Sequence, residues 1–160
     1  YLYNPRREEY TTYLTFFMYR TQEALTVFYS GREDNNEGIE FKDGSLSKSY
    51  ISEIISKNSN NKTHTLFITD CINSGSVFDI KGGSNMISFS VKKLCSPESK
   101  ESKRSHGILT YYFSKITSDC PNITPNRLTE RMNPSLNRFN EVFSCELTSN
   151  ELGESPIFSN

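Results

Sequence analysis

Long apolar runs are missing from this chain. None approaches the roughly 18 residues that a membrane-spanning helix needs, and the mean hydropathy is −0.59. Charge of one sign is missing too: 18 basic against 19 acidic residues leave a formal net charge of −1. No global field therefore draws the protein to nucleic acid or to an anionic membrane surface. Cysteine is scarce, with four in 160 residues at positions 71, 95, 120 and 145, and no two form a CxxC pair. A structural zinc site uses paired ligands at short spacing, so none is expected. Four thiols are also too few for a disulfide scaffold in a chain of this size. Reduced, mostly buried cysteines in the cytoplasm are the expectation. Residues 1–7 carry the pattern of neither a signal peptide nor a transit peptide and read like the middle of a longer protein. Asn61-Lys62-Thr63 and Asn122-Ile123-Thr124 match the glycosylation sequon. Chance supplies such matches often in an Asn- and Ser-rich chain, and neither is given weight.

What is present is a chain long enough for one domain with a real core, and a regular alternation of apolar patterns. Asn4-Pro5 predicts a helix start, a capping side chain followed by proline. Tyr10, Tyr13, Leu14, Phe17 and Met18 then recur at helical spacing. Residues 25–29 form a short apolar, β-favouring run that ends at Ser30-Gly31 and predicts a buried strand. Residues 32–44 are polar and turn-rich, which predicts a loop. Leu46, Tyr50, Ile51, Ile54 and Ile55 predict a second helix, and 58–62 a linker. Residues 65–69 predict a second buried strand leading to Asp70 and a Ser74-Gly75 turn, and 86–91 a third. Residues 96–105 are almost purely Ser, Lys and Glu, the composition of a mobile loop. Ile108, Leu109, Tyr112, Phe113 and Ile116 predict a third helix. Thr124-Pro125 predicts the start of another, carrying Leu128 and Met132 and interrupted at Pro134. Short β-like runs follow at 142–147 and 157–158. Strands alternating with helices predict an α/β fold, a mostly parallel sheet covered on both faces. No internal repeat is visible.

In an open parallel sheet, sites form at the carboxyl ends of strands. Two such ends stand out: Phe28-Tyr29-Ser30-Gly31-Arg32-Glu33 and Ile68-Thr69-Asp70-Cys71-Ile72-Asn73-Ser74-Gly75-Ser76. Each runs a buried strand straight into a small-residue turn. With these residues the chain resembles the caspase and metacaspase superfamily of cysteine peptidases. In that pattern a strand ending Ser-Gly-His-Gly supplies the catalytic histidine, and a strand ending Asp-x-Cys-His-Ser-Gly supplies the nucleophile. His106-Gly107-Ile108-Leu109-Thr110-Tyr111 is similar to the family's His-Gly-x-Phe-Thr-Tyr helix opening, and Ser155-Pro156-Ile157-Phe158 is similar to its final strand. The resemblance implies a three-layer sandwich with a mostly parallel central sheet over residues 1–160. It also implies two strands and a helix before Tyr1, so that the strand at Leu25 exposes a hydrogen-bonding edge without them.

The departures decide the expected chemistry. Ser30 and Gly31 stand in the framework, but the histidine position is Arg32 and the next glycine is Glu33. A guanidinium stays protonated and cannot act as a general base. Asp70, Ser74 and Gly75 align, but the nucleophile position is Ile72 and the histidine after it is Asn73. Both halves of the dyad are replaced, and no catalytic residue is assigned. Cys71 is the fallback nucleophile. Strand alternation turns it to the packed side instead of the cleft, which favours a structural thiol. The two histidines offer no substitute base: His64 precedes its strand at the far end of the sheet, and His106 falls at the helix opening. Ser74 and Ser76 are read as turn residues and Arg32, Glu33 and Asp34 as a solvated loop. Metacaspases hold calcium with acidic residues, but Asp34, Glu37 and Asp43 match no compact calcium loop, and no metal or cofactor is expected. Lys103-Arg104 falls where the resemblance places an activation cleavage, in a stretch that proteases would attack in any case.

The sequence thus points to a noncatalytic caspase-like domain acting as a structural or protein-binding module. The expected setting is a cytoskeletal or other large intracellular assembly, with no nucleic acid and no membrane. Two alternatives stand beside it. One is an active cysteine endopeptidase using Cys71, and the other is a regulatory pseudoenzyme that pairs with an active metacaspase.

Overall fold

The structure, a computed structural model, describes residues 2–32, 38–72, 77–93 and 107–158. Its frame is a four-stranded sheet in the order β1(Ala24–Arg32), β4(His64–Ile72), β5(Met86–Lys93), β6(Glu141–Leu147). The first three strands run parallel and β6 runs antiparallel to β5. Among the described residues β1 and β6 are the edge strands of the sheet. A small antiparallel hairpin, β2(Gly38–Phe41) and β3(Gly44–Ser47), follows β1.

Two pairs of helices cover the sheet on opposite faces, making the fold α/β with helix, sheet and helix layers. On one face, α1(Arg7–Arg20) and α2(Lys48–Asn58) bring Tyr10, Leu14, Met18, Ile51, Ile54 and Ile55 against Phe67 and Cys71 of β4. On the other, α3(Ile108–Asp119) and α4(Pro125–Leu136) bring Leu109, Phe113, Leu128 and Met132 against Leu66, Ile68 and Phe89. Successive β4 residues feed alternate cores, as strand pleating requires. Strand β1 is covered on one face only. Leu25, Val27 and Tyr29 pack under α1, whereas Ala24, Thr26, Phe28, Ser30 and Arg32 are exposed.

Several local expectations need correction. Helix α1 begins at Arg7, not at Asn4-Pro5. Asn4 sits in the left-handed region with φ 48°, and the residue before the helix, Arg6, makes no side-chain cap. The cap comes from 36 positions downstream: the Asp43 carboxylate accepts the Arg7 N–H at 2.9 Å. The expected loop 32–44 contains β2 and the turn of the hairpin, because Lys42-Asp43-Gly44 closes it with Gly44 at φ 124°. Leu46 is in β3, and Ser47 caps α2 by accepting the Tyr50 N–H. His64 is the first residue of β4, not a residue before it. Pro134 does not interrupt α4, which runs on to Leu136. The buried stripe Leu128, Met132, Leu136 outweighs the one hydrogen bond the proline forgoes. Residues 157–158 form no strand. A single bond from the Ile157 N–H to the Ile123 carbonyl, at 3.0 Å, anchors a buried Ile157.

Candidate functional site

The two strand ends singled out in the sequence lie side by side. In the parallel β1–β4 ladder Ser30 is opposite Asp70, Gly31 opposite Cys71 and Arg32 opposite Ile72. Both strands end at the same level, and helix α3 begins beside them.

Asp70, Cys71, Gly31 and Tyr29 each have a clear local role here. Asp70 is nearly buried, 8 % exposed, and turns toward α3. One of its carboxylate oxygens accepts the backbone N–H of Thr110 at 3.0 Å and the Thr110 hydroxyl as well. A carboxylate at the first turn of a helix satisfies an orphan N–H and meets the positive end of the helix dipole. Gly107, with φ 107°, stands at the N-cap position and offers no side chain for that purpose. Asp70 therefore ties the end of β4 to the start of α3, joining two segments that are 40 residues apart.

Cys71 points the opposite way, 4 % exposed in the core under α1 with Tyr10, Tyr29 and Phe41. Tyr29 packs over Gly31 so closely that a Cβ at Gly31 would lie 2.7 Å from the phenol Cζ. Its hydroxyl faces the carbonyls of Arg32 at 3.1 Å and Glu40 at 2.8 Å, sharing one proton between the end of β1 and the hairpin. The Ser30-Gly31 pair thus leaves room for this aromatic strut. Burial, followed by the neighbouring Cys71, pushes the Tyr29 phenol well above its ordinary range. Burial does the same to Tyr10. Arg32 is exposed at the strand end.

No described imidazole reaches this place. His64 lies seven residues from Cys71 along one strand, about 23 Å at the rise of an extended chain. Its Nδ1 is 3.3 Å from the Asn85 side-chain oxygen, and its Nε2 is buried with no partner among the described residues. Among the other thiols, burial pushes Cys145 up to about 12. Asp43 serves α1, and no group of three His, Cys, Asp or Glu among the described residues is placed to hold a metal. Glu33, Asp34, Glu37, Asn73, Ser74, Gly75, Ser76, Cys95, Lys103, Arg104, His106 and the loop 96–105 lie outside the described residues. No helix among the described residues is long and apolar enough to cross a membrane.

Two contributors escape a reading of the sequence. Tyr29 sits in a strand run where its hydroxyl has no visible partner, since Glu40 is 11 positions away. Thr110 belongs to the His-Gly-Ile-Leu-Thr-Tyr stretch, but nothing in the linear order links it to Asp70. The Asp43-Gly44 dipeptide, in contrast, is a signal for the hairpin that pattern analysis can use.

Neither the protein-family models nor the curated proteins contain a match to this chain. Among solved structures it is similar to the crystal structure of protein GSU0716 from Geobacter sulfurreducens, with a TM-score of 0.60 at 10% sequence identity. The alignment covers 93% of this chain and 76% of that one. At such low identity the likeness speaks to the fold alone.

Proposed function

We propose that this chain is a noncatalytic caspase-like domain that serves as a binding or structural module in a larger cytoplasmic assembly. One observation carries the reading. The residues aligned with the family's histidine and nucleophile positions, Arg32 and Ile72, are direct Cα partners at the ends of adjacent parallel strands. A permanent cation and a hydrocarbon side chain supply neither a base nor a nucleophile for attack on an amide. The framework around them is kept for packing reasons: Gly31 makes room for Tyr29, and Asp70 caps α3. The neighbouring thiol, Cys71, belongs to the core, on the face of the sheet away from Asp70. The same reading expects further strands beyond the open side of β1.

The test is incubation of the purified chain with peptide substrates ending in Asp, Arg or Lys. No turnover is expected. Turnover that disappears in Cys71→Ala would overturn the proposal and establish a peptidase with a shifted nucleophile. Iodoacetamide at neutral pH gives a second readout. Cys71 is expected to react no faster than Cys145, whose thiol is held protonated by burial.

A further inference from the structure

Helix α1 is apolar on the side that faces the sheet and again on the side that faces water. Tyr10, Leu14 and Met18 are buried in the core. A surface helix ordinarily turns charged and polar side chains the other way. Here Glu9, Tyr13, Phe16 and Arg20 follow one another at intervals of four, three and four residues, which sets them on one straight outer stripe. Tyr13 is 45% and Phe16 51% exposed, and Glu9 and Arg20 are exposed at the two ends. The stripe reads acid, aromatic, aromatic, base over about three turns.

These side chains are already braced. The Tyr13 ring stacks on Phe17 with centroids 6.2 Å apart, and Phe16 meets Phe17 edge-on at 5.4 Å. The Arg20 guanidinium lies 5.9 Å from the centre of the Phe16 ring. The Glu9 carboxylate has no partner among the described residues. Side chains held in place this way lose little freedom when something packs on them.

Such a stripe complements itself when turned end for end. Let two α1 helices lie antiparallel, with the two-fold axis level with the Leu14–Thr15 peptide. Glu9 of each copy then stands opposite Arg20 of the other, and Tyr13 opposite Phe16, so that every contact is made twice. A parallel pair would set glutamate against glutamate and arginine against arginine, which is unfavourable. Arginine can stay stacked on an aromatic face while its planar fork bonds a carboxylate, so Arg20 need not leave Phe16 to reach the second copy. A purely apolar partner would leave both end charges without counterparts. The net charge of −1 adds little repulsion between copies.

We propose that α1 pairs with α1 of a second copy of this chain, antiparallel and in that register. Its 14 residues span about 21 Å. That is too short to bury the roughly 800 Å² per partner of a standard stable interface, so the dimer is weak and concentration-dependent. The inference goes beyond the binding-module reading and does not rest on it, since the stripe contains no residue of the two strand ends.

Sedimentation velocity of the full chain over a roughly hundredfold range of concentration tests it. A monomer–dimer equilibrium is expected. Phe16→Lys, and either charge reversal alone, Glu9→Arg or Arg20→Glu, should weaken it at least about tenfold. Combining the two reversals re-forms both ion pairs in the antiparallel register and should bring the dimer back to within about threefold of the wild type. Tyr19→Ser is the control, because Tyr19 is 73% exposed on the same helix but off the stripe, and it should change nothing. Circular dichroism checks that each variant is folded. Should Glu9→Arg fail to fold, with its base at the positive end of the helix dipole, Arg20→Gln and Phe16→Lys test the same stripe. A chain that stays monomeric throughout, a dimer indifferent to Phe16→Lys, or a double reversal no better than the single ones would overturn the proposal. So would a dimer that Tyr19→Ser weakens as much as Phe16→Lys does. Peptide hydrolysis is assayed separately and bears only on the catalytic question.

Discussion

Gly31 is a glycine with a packing reason of its own. The Tyr29 ring lies where its Cβ would be, and the Tyr29 hydroxyl bridges the end of β1 and the β2 strand of the hairpin. Gly31→Ala must push the ring aside and break that bridge. The expected cost is about 1 to 3 kcal/mol, the scale of overpacking a filled core, read as a fall in the urea midpoint. In a Tyr29→Leu background the same substitution should cost clearly less, since the obstructing ring is gone. Equal costs in the two backgrounds would show that Tyr29 is not the obstacle. Asp70 and Thr110 make a comparable point. A motif residue at a strand end here secures a helix start, so a matching letter in a pattern is poor evidence for a matching reaction.

Helix α1 depends on a cap that its own sequence lacks. Asp43, in the hairpin turn, accepts the Arg7 N–H at 2.9 Å and lies 3.7 Å from the Arg7 guanidinium. The Arg7 N–H, more than the nearby arginine charges, holds the Asp43 carboxyl below the usual carboxylate range. A group with a lowered folded pKa stabilises the protein above its unfolded pKa, about 3.9, and loses that effect as pH falls through the folded value. The stability difference between the wild type and Asp43→Ala should therefore be constant from about pH 7 down to about pH 5. It should shrink in more acidic solution. Thermal melts across that range check it, and a difference that grows in acid would refute the cap.

The same element shows what is legible in a linear reading. Strand β4 could be found because a centrally placed strand buries both faces and is written as a continuous apolar run, as in Leu66-Phe67-Ile68. Strand β1, whose run at 25–29 also reads as a buried strand, is covered on one face only. The faces of α2 and α3 follow from Ile51, Ile54, Ile55 and from Leu109, Phe113. The hairpin was hidden because its strands are four residues long and begin with glycine. The start of α1 was misplaced because the cap that sets it is 36 positions away. At the site, the two strand ends at 30–32 and 70–72 were legible in the sequence, whereas their side-by-side register and the Tyr29–Glu40 and Asp70–Thr110 bonds exist only in three dimensions.

At the scale of the molecule, the described residues form two cores on opposite sides of one sheet, and no buried residue among them belongs to both. Ile55 of α2 and Leu136 of α4 are each fully buried, one in each core. Destabilisation by Ile55→Val and by Leu136→Ala should add in the double variant to within about 0.5 kcal/mol, as for sites that share no partner. A larger discrepancy by denaturant titration would mean that strain passes through the strands. The sheet thus behaves as a firewall. Substitutions can accumulate on one flank without demanding correction on the other, and that latitude allows a surface to be tuned to a new companion while the far side keeps the chain folded.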